Sequence, residues 1–248
     1  MNASSITVSL AQAPTFKGIQ ENLAMHLKFI SKSAKHNADI VVFPELSLTG
    51  YELDLAEKLA LQENAVEISE LSKSAVTNGI VVIVGCPLAK SDGKPNIGAV
   101  ICFPTGDVEF YAKQYLHGDE SVFYSAGNQN YSFTVKGFKI GLAICADFAN
   151  PQHSADMASL NTDVYIASAL ISNSGYEADA QILSNIASTY KLPVLLSNHI
   201  TETGGWSTCG KSGVWGANGR IIAMAKNIER GLVICEISHN SVIGSIKT

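Results

Sequence analysis

The chain has 248 residues, 46% hydrophobic and 16% charged, with a formal net charge of −5 at pH 7. That length suits one large α/β domain or two small ones, and the apolar share is enough to bury a sizeable core. The acidic balance leaves no basic patch for nucleic acid or an anionic membrane, and no apolar run approaches transmembrane length.

Met1 to Ser5 lacks the basic-then-apolar order of a secretion signal. Ile6 to Ala11 reads as a first strand, too short and too broken by Thr7 and Ser9 to serve as one. Leu23, Met25, Leu27, Ile30 and Ala34 recur at helical spacing and predict an amphipathic helix over Ile19–Ala38. A strand follows at Ile40–Phe43, then a loop over Leu46–Leu55 with a Thr49-Gly50 turn. Asn64–Thr77 reads as a second helix, ended by Asn78-Gly79, and Ile80–Cys86 as a buried strand. Asn96–Phe103 and Val108–Lys113 pair across Pro104-Thr105-Gly106-Asp107, a turn signature. Leu116–Gln129 reads as a loop. Tyr131–Val135 and Lys139–Ile144 pair across Lys136-Gly137. A helix over Pro151–Leu160, a strand at Val164–Ser168, a helix over Tyr176–Tyr190 and a strand at Val194–Asn198 follow. Ile200–Gly213 is a Gly/Ser/Thr-rich loop. Gly213–Trp215, Ile221–Ala225 and Leu232–Ile237 are short strands, and the tail Ser238–Thr248 is ambiguous. Helical crossovers mixed with hairpins, and no linker or fixed repeat, argue for one α/β domain over residues 1–248 with its core at about 6–237.

Three strands deliver a reactive side chain at their far ends: Glu45, Lys113 and Cys145. A lone cysteine there ordinarily packs as a small hydrophobe, and a lone glutamate or lysine ordinarily meets solvent. Together they supply what acyl transfer needs: a nucleophile, a base to deprotonate it and a cation for the oxyanion, without a histidine.

These stretches resemble the nitrilase superfamily, the carbon-nitrogen hydrolases with a Glu-Lys-Cys triad. Phe43-Pro44-Glu45-Leu46-Ser47-Leu48-Thr49-Gly50-Tyr51 is similar to the family's first motif. Lys113-Gln114-Tyr115-Leu116, trailed by Glu120, Phe123 and Gly127, is similar to the lysine motif, and Gly141–Asp147 with Pro151 to the cysteine motif. The likeness runs from about Val8 to Ile237. It implies a four-layer α-β-β-α sandwich, Glu45 as general base, Cys145 as nucleophile, and Lys113 with the Ala146 N–H as oxyanion donors. It also implies Glu120 as a second glutamate assisting the lysine. By the same analogy Ala146, Ser168, Ala169 and Leu170 stand near the substrate. All are small or apolar, so no charged clamp for a substrate carboxylate is evident. His117 and His199 are left out of the chemistry, although a Cys-His hydrolase is the rival mechanism. Trp206 and Trp215 could wall a pocket, with packing the ordinary role.

The resulting expectation is an amidohydrolase that forms a cysteine thioester and releases ammonia from a small linear amide, with omega-amides of short acids leading. The alternatives are a nitrile hydrolase, an N-carbamoyl amidohydrolase, an acyltransferase that passes the thioester to an amine, and an idle homologue that binds a small molecule or protein. No metal-ligand spacing, dinucleotide fingerprint or P-loop occurs, so no cofactor is expected. Five cysteines without a CxxC pair suit free thiols in a reducing cytoplasm. The partners expected are the amide and water, and relatives' habit implies a homodimer.

Overall fold

The structure, a computed structural model, describes residues 5–227 and 229–248. It begins with β1 (Ser5–Gln12), α1 (Ile19–Lys35) and β2 (Ile40–Val42). A single 3-10 turn at Leu53–Leu55 leads into α2 (Ala56–Leu59), then α3 (Val66–Asn78), β3 (Val81–Leu88), β4 (Asn96–Cys102) and β5 (Val108–Ala112). Next come α4 (Glu120–Phe123), β6 (Ser132–Val135), β7 (Phe138–Ile144), α5 (Ala146–Ala149), α6 (Pro151–Ser159), β8 (Val164–Ala169), α7 (Tyr176–Tyr190) and β9 (Val194–Asn198). The chain closes with β10 (Glu202–Thr203), β11 (Trp206–Ser207), β12 (Gly213–Trp215), β13 (Ile221–Met224), β14 (Gly231–Ser238) and β15 (Ser241–Lys247).

Two sheets result, one ordered β15-β14-β1-β2-β3-β4-β5 and the other β13-β12-β9-β8-β7-β6. Each has a parallel centre, β1-β2-β3 and β7-β8-β9, flanked by antiparallel strands. Parallel neighbours need a crossover. Here α1, α3, α6 and α7 supply it, so these four helices land on the outer faces.

The side-chain alternation of the strands separates three cores. Ile40 and Val42 of β2 point inward with Ile6, Val8 and Ile83, where they meet Ile140, Leu142, Ile166 and Leu195 of the other sheet. Val41, Val82 and Val84 point outward against Leu23 and Ile30 of α1 and Leu71 of α3. On the other sheet Tyr165, Ala167 and Leu196 face Met157 of α6 and Leu183 and Ile186 of α7. The layers are α-β-β-α. Serines bring the two sheets together where their central strands end. The Ser197 hydroxyl lies 2.9 Å from the Ala11 carbonyl and 3.1 Å from that of Val42, and Ser168 Oγ donates to Phe43 O at 2.8 Å.

The differences from the sequence expectation lie in short elements. The expected loops at 46–55, 116–129 and 200–213 contain, respectively, the 3-10 turn, α4 and the small β10–β11 hairpin. The tail is not peripheral. As β15 it pairs along its length with β14, from Ser241 opposite Ser238 to Lys247 opposite Leu232. Among the described residues no helix is long and apolar enough to cross a membrane. All five cysteines are free thiols. Cys86, Cys102, Cys209 and Cys235 are buried, and Cys145 is partly exposed.

Candidate active site

Glu45 sits just past β2, where the chain leaves the sheet in a tight turn. Leu46 takes a positive φ of 51°, and Ser47 N and Gly50 N close back onto Pro44 O and Leu46 O. Gly85 of β3 packs beneath this turn. A Cβ there would run into Leu46 N and Pro44 O, so only glycine lets the turn sit so close. Two buried histidines brace it. His199 donates from Nε2 to the Glu45 carbonyl at 2.7 Å and accepts at Nδ1 from Thr15 Oγ1 at 2.8 Å. His26 donates from Nδ1 to Asn22 O and accepts at Nε2 from Ser47 Oγ. Burial holds both imidazoles down at about 4, so both are neutral braces.

Lys113 follows β5, held by its N–H to Ile97 O and by Gly127 N to its own carbonyl. A Cβ at Gly127 would collide with Ala112 O, which accounts for glycine at that position. The Lys113 ammonium is wholly buried and lies 2.7 Å from both Glu45 Oε1 and Glu120 Oε1. Glu120 opens α4, where its Oε1 also accepts from Tyr51 OH at 2.5 Å and its Oε2 from His117 N at 2.7 Å. Burial works against the charge on Lys113. Glu45, Cys145 and Glu120 together outweigh it and hold the ammonium well above the usual lysine range. For Glu45, burial dominates and lifts the carboxyl to about 7, with Lys113 opposing and Glu120 reinforcing the rise. Glu45 Oε2 is buried with no hydrogen-bond partner among the described residues.

Cys145 ends β7 at φ 45° and ψ −108°, backbone that side-chain-bearing residues rarely adopt and that costs on the order of 1–3 kcal/mol. Its N–H donates to Ser168 O, and its carbonyl accepts from Phe148 N. Asp147 holds this bend in place. Its Oδ1 accepts from Gln114 N and Tyr115 N, and its Oδ2 from Ile144 N and Tyr111 OH. One buried carboxylate thus ties the lysine segment to the cysteine bend. Burial, then the Glu45 charge, push the Cys145 thiol well above its ordinary range, with Lys113 opposing. The resting sulfur is therefore a thiol, and it needs a base at the moment of attack.

A cavity of about 380 Å³ opens over Cys145. Ala146 and Leu170 line it, whereas Ser168 and Ala169 lie buried in β8, with the Ser168 hydroxyl committed to Phe43 O. Tyr51, His117, Asp179 and Trp206 also line it. Of these four, the sequence offers only Trp206 as a possible pocket wall, with packing its ordinary role, and marks none of the other three as substrate-contacting. Trp206 is 42% exposed on β11, while Trp215 is 2% exposed and packs in the core against the outer helices. Tyr51 closes the first motif, a signal that could have marked it. Asp179 carries no motif and reaches the cavity only because α7 docks beside α5. Among the described residues no group of three His, Cys, Asp or Glu could hold a metal ion.

The sequence model described as carbon-nitrogen hydrolase matches residues 7–246. A protein of Pyrococcus abyssi named nitrilase is 24% identical over 227 residues, covering 88% of this chain and 83% of that one. A protein of Bacillus subtilis named 2-oxoglutaramate amidase is 31% identical over 135 residues, 53% of this chain and 52% of that one. Among solved structures, an amidase of Nesterenkonia AN1 from the nitrilase superfamily superposes with a TM-score of 0.88 at 19% identity, covering 97% of this chain and 93% of that one. Another structure of that amidase is a complex with butyramide.

Proposed function

Because this chain belongs to the carbon-nitrogen hydrolase family, we propose that it hydrolyses small linear amides through a thioester on Cys145. The observation that carries this reading is the buried Lys113 ammonium shared between Glu45 and Glu120 beside a cysteine held in strained backbone at a cavity floor.

The amide carbonyl carbon is attacked by Cys145 Sγ, and the thiol proton passes to Glu45, whose Oε2 is unspent. The carbonyl oxygen becomes an oxyanion beside Lys113 Nζ and the Ala146 N–H, which opens a helix and so has no partner inside it. Collapse breaks the C–N bond. Glu45 returns the proton to the leaving nitrogen, and ammonia departs. Water then adds to the thioester while Glu45 takes its proton. Collapse releases the acid and restores the thiol. Glu120 fixes the ammonium through Oε1, while Tyr51 OH and His117 N donate to its two oxygens and hold the side chain in place.

The Bacillus subtilis relative named for an amide and the butyramide held by the Nesterenkonia amidase support an amide substrate, and the Pyrococcus relative named nitrilase keeps a nitrile as the second reading. Omega-amides of short acids, the subclass the resemblance puts first, would find no lysine or arginine for a free acid end among the described residues that line the cavity. Early acid quench of a turning-over reaction, followed by digestion, should place the acyl mass on the peptide spanning Ile140 to Asp147, and Cys145→Ala should abolish it. Acyl mass on Cys86, Cys102, Cys209 or Cys235 would overturn the assignment.

A further inference from the structure

The amide end of the substrate meets Cys145; the other end meets a wall with its own chemistry. That wall is mostly apolar, from Phe148, Ala149, Leu170, Ile171 and Ala178. Its ionisable groups beyond Tyr51 and Cys145 are His117 and Asp179. His117 stands exposed on the segment between Lys113 and α4. Asp179 lies in the first turn of α7, half-buried, and no donor among the described residues hydrogen-bonds its carboxylate. That carboxylate lies over Gly175, where an added Cβ would come within 3.7 Å of Oδ2 and 3.4 Å of Ser172 Oγ. Burial lifts the Asp179 carboxyl above its usual range, opposed by His117, as for an acceptor short of partners. The rest of the site offers no spare cation to a free acid end, because the Lys113 ammonium is already shared between Glu45 and Glu120. Trp206 adds an aromatic wall, and aromatic faces attract cations.

We propose that Asp179 is the specificity-determining group of this cavity and that it selects short linear amides carrying an ammonium or guanidinium at the end remote from the amide. The inference rests on the amidohydrolase reading above and departs from its acid-tailed subclass, setting a cationic end where a free acid end was expected. A carboxylate tail would enter a cavity with an acceptor already in want of a donor and no lysine or arginine among the described residues of its lining. An ammonium tail supplies the missing donor and forms a charge-assisted hydrogen bond, the stronger kind.

The test uses three amides of matched length, delta-aminovaleramide, valeramide and glutaramate, with ammonia release by the purified chain. Specificity constants should fall in that order, and added salt should narrow the gap between the first two. Asp179→Asn should cut the ratio of kcat/KM for delta-aminovaleramide over valeramide by about tenfold, the scale of one charged hydrogen bond, with the loss in KM. Asp179→Glu should restore part of the ratio. Preference for glutaramate, a ratio unmoved by Asp179→Asn, or a ratio that collapses on His117→Ala instead, overturns the proposal. If none of the three is hydrolysed, the amidohydrolase reading is what fails. Calorimetric binding to the unmodified chain then decides the charge preference, and delta-aminovaleramide must bind more tightly than either competitor. Equal binding of all three overturns it, and the same measurement stands in should Asp179→Asn not fold.

Discussion

Glu45 divides its two oxygens between two jobs. Oε1 holds Lys113, and Oε2 is buried with no hydrogen-bond partner among the described residues apart from the approach of the Cys145 thiol to this carboxyl, a state that ordinarily costs about 1–3 kcal/mol. That cost is sensible if Oε2 is the proton's landing place. Glu45→Gln keeps the shape but removes the basic oxygen, and turnover should fall by about 10²–10⁴ while the fold persists. A histidine substitution as damaging as this one, with folding intact, would point instead to a Cys-His mechanism. With the folded carboxyl near 7, kcat/KM should rise with pH along a limb centred there, because only the charged form can take the proton. Stability should run the other way. Between 4.5 and about 7 the folded chain keeps a proton on Glu45 that the unfolded chain has lost, so rising pH through that window weakens the fold. Urea midpoints of wild type should drop across that window relative to Glu45→Gln; parallel pH curves would show that the carboxyl titrates in the ordinary range.

At the scale of elements, the site is assembled by the ends of β2, β5 and β7, and Asp147 joins the last two. Its carboxylate takes four hydrogen bonds, three of them from backbone N–H groups. Asp147→Asn exchanges one oxygen for an NH₂ group that cannot accept, stranding two donors. It should lose about 1–3 kcal/mol in urea unfolding and depress kcat more than KM, since the cysteine bend and the lysine would drift apart. An unchanged kcat would mean the strand ends hold themselves. The same elements mark what the sequence discloses. The period of α1 and the apolar runs of β2 and β3 are visible because each extends over several repeats of its own pattern. α2, α4 and α5 have four residues each, about one helical turn, and show no period to read. Asp147 was visible as a motif residue, but its clamp was not, because three of its four partners lie more than thirty residues away in the chain.

For the whole molecule, the three strand-end residues were legible because their motifs are local, each within a few positions of a strand. The far wall of the cavity was not, since Asp179 comes from a helix and Trp206 from a hairpin, each brought in only by the packing of layers. β15 was missed for a related reason. As an edge strand it leaves Ile243 and Ile246 exposed, and its Ser and Gly residues blur the alternation a buried strand would show. The distribution of thiols has a consequence for how the sandwich comes apart. Cys86, Cys102 and Cys235 are shut inside the seven-stranded sheet, and Cys209 is shut against the outer face of the six-stranded one. Under native conditions an alkylating reagent reaches these sulfurs only when the chain around them transiently opens, so each is a clock fixed to one region. If both sheets unfold as one cooperative unit, the four clocks should report the same opening free energy in mass-resolved pulse labelling. If Cys209 runs ahead, the helical face carrying the cavity opens by itself, and the enzyme is two foldons sharing a serine-lined seam.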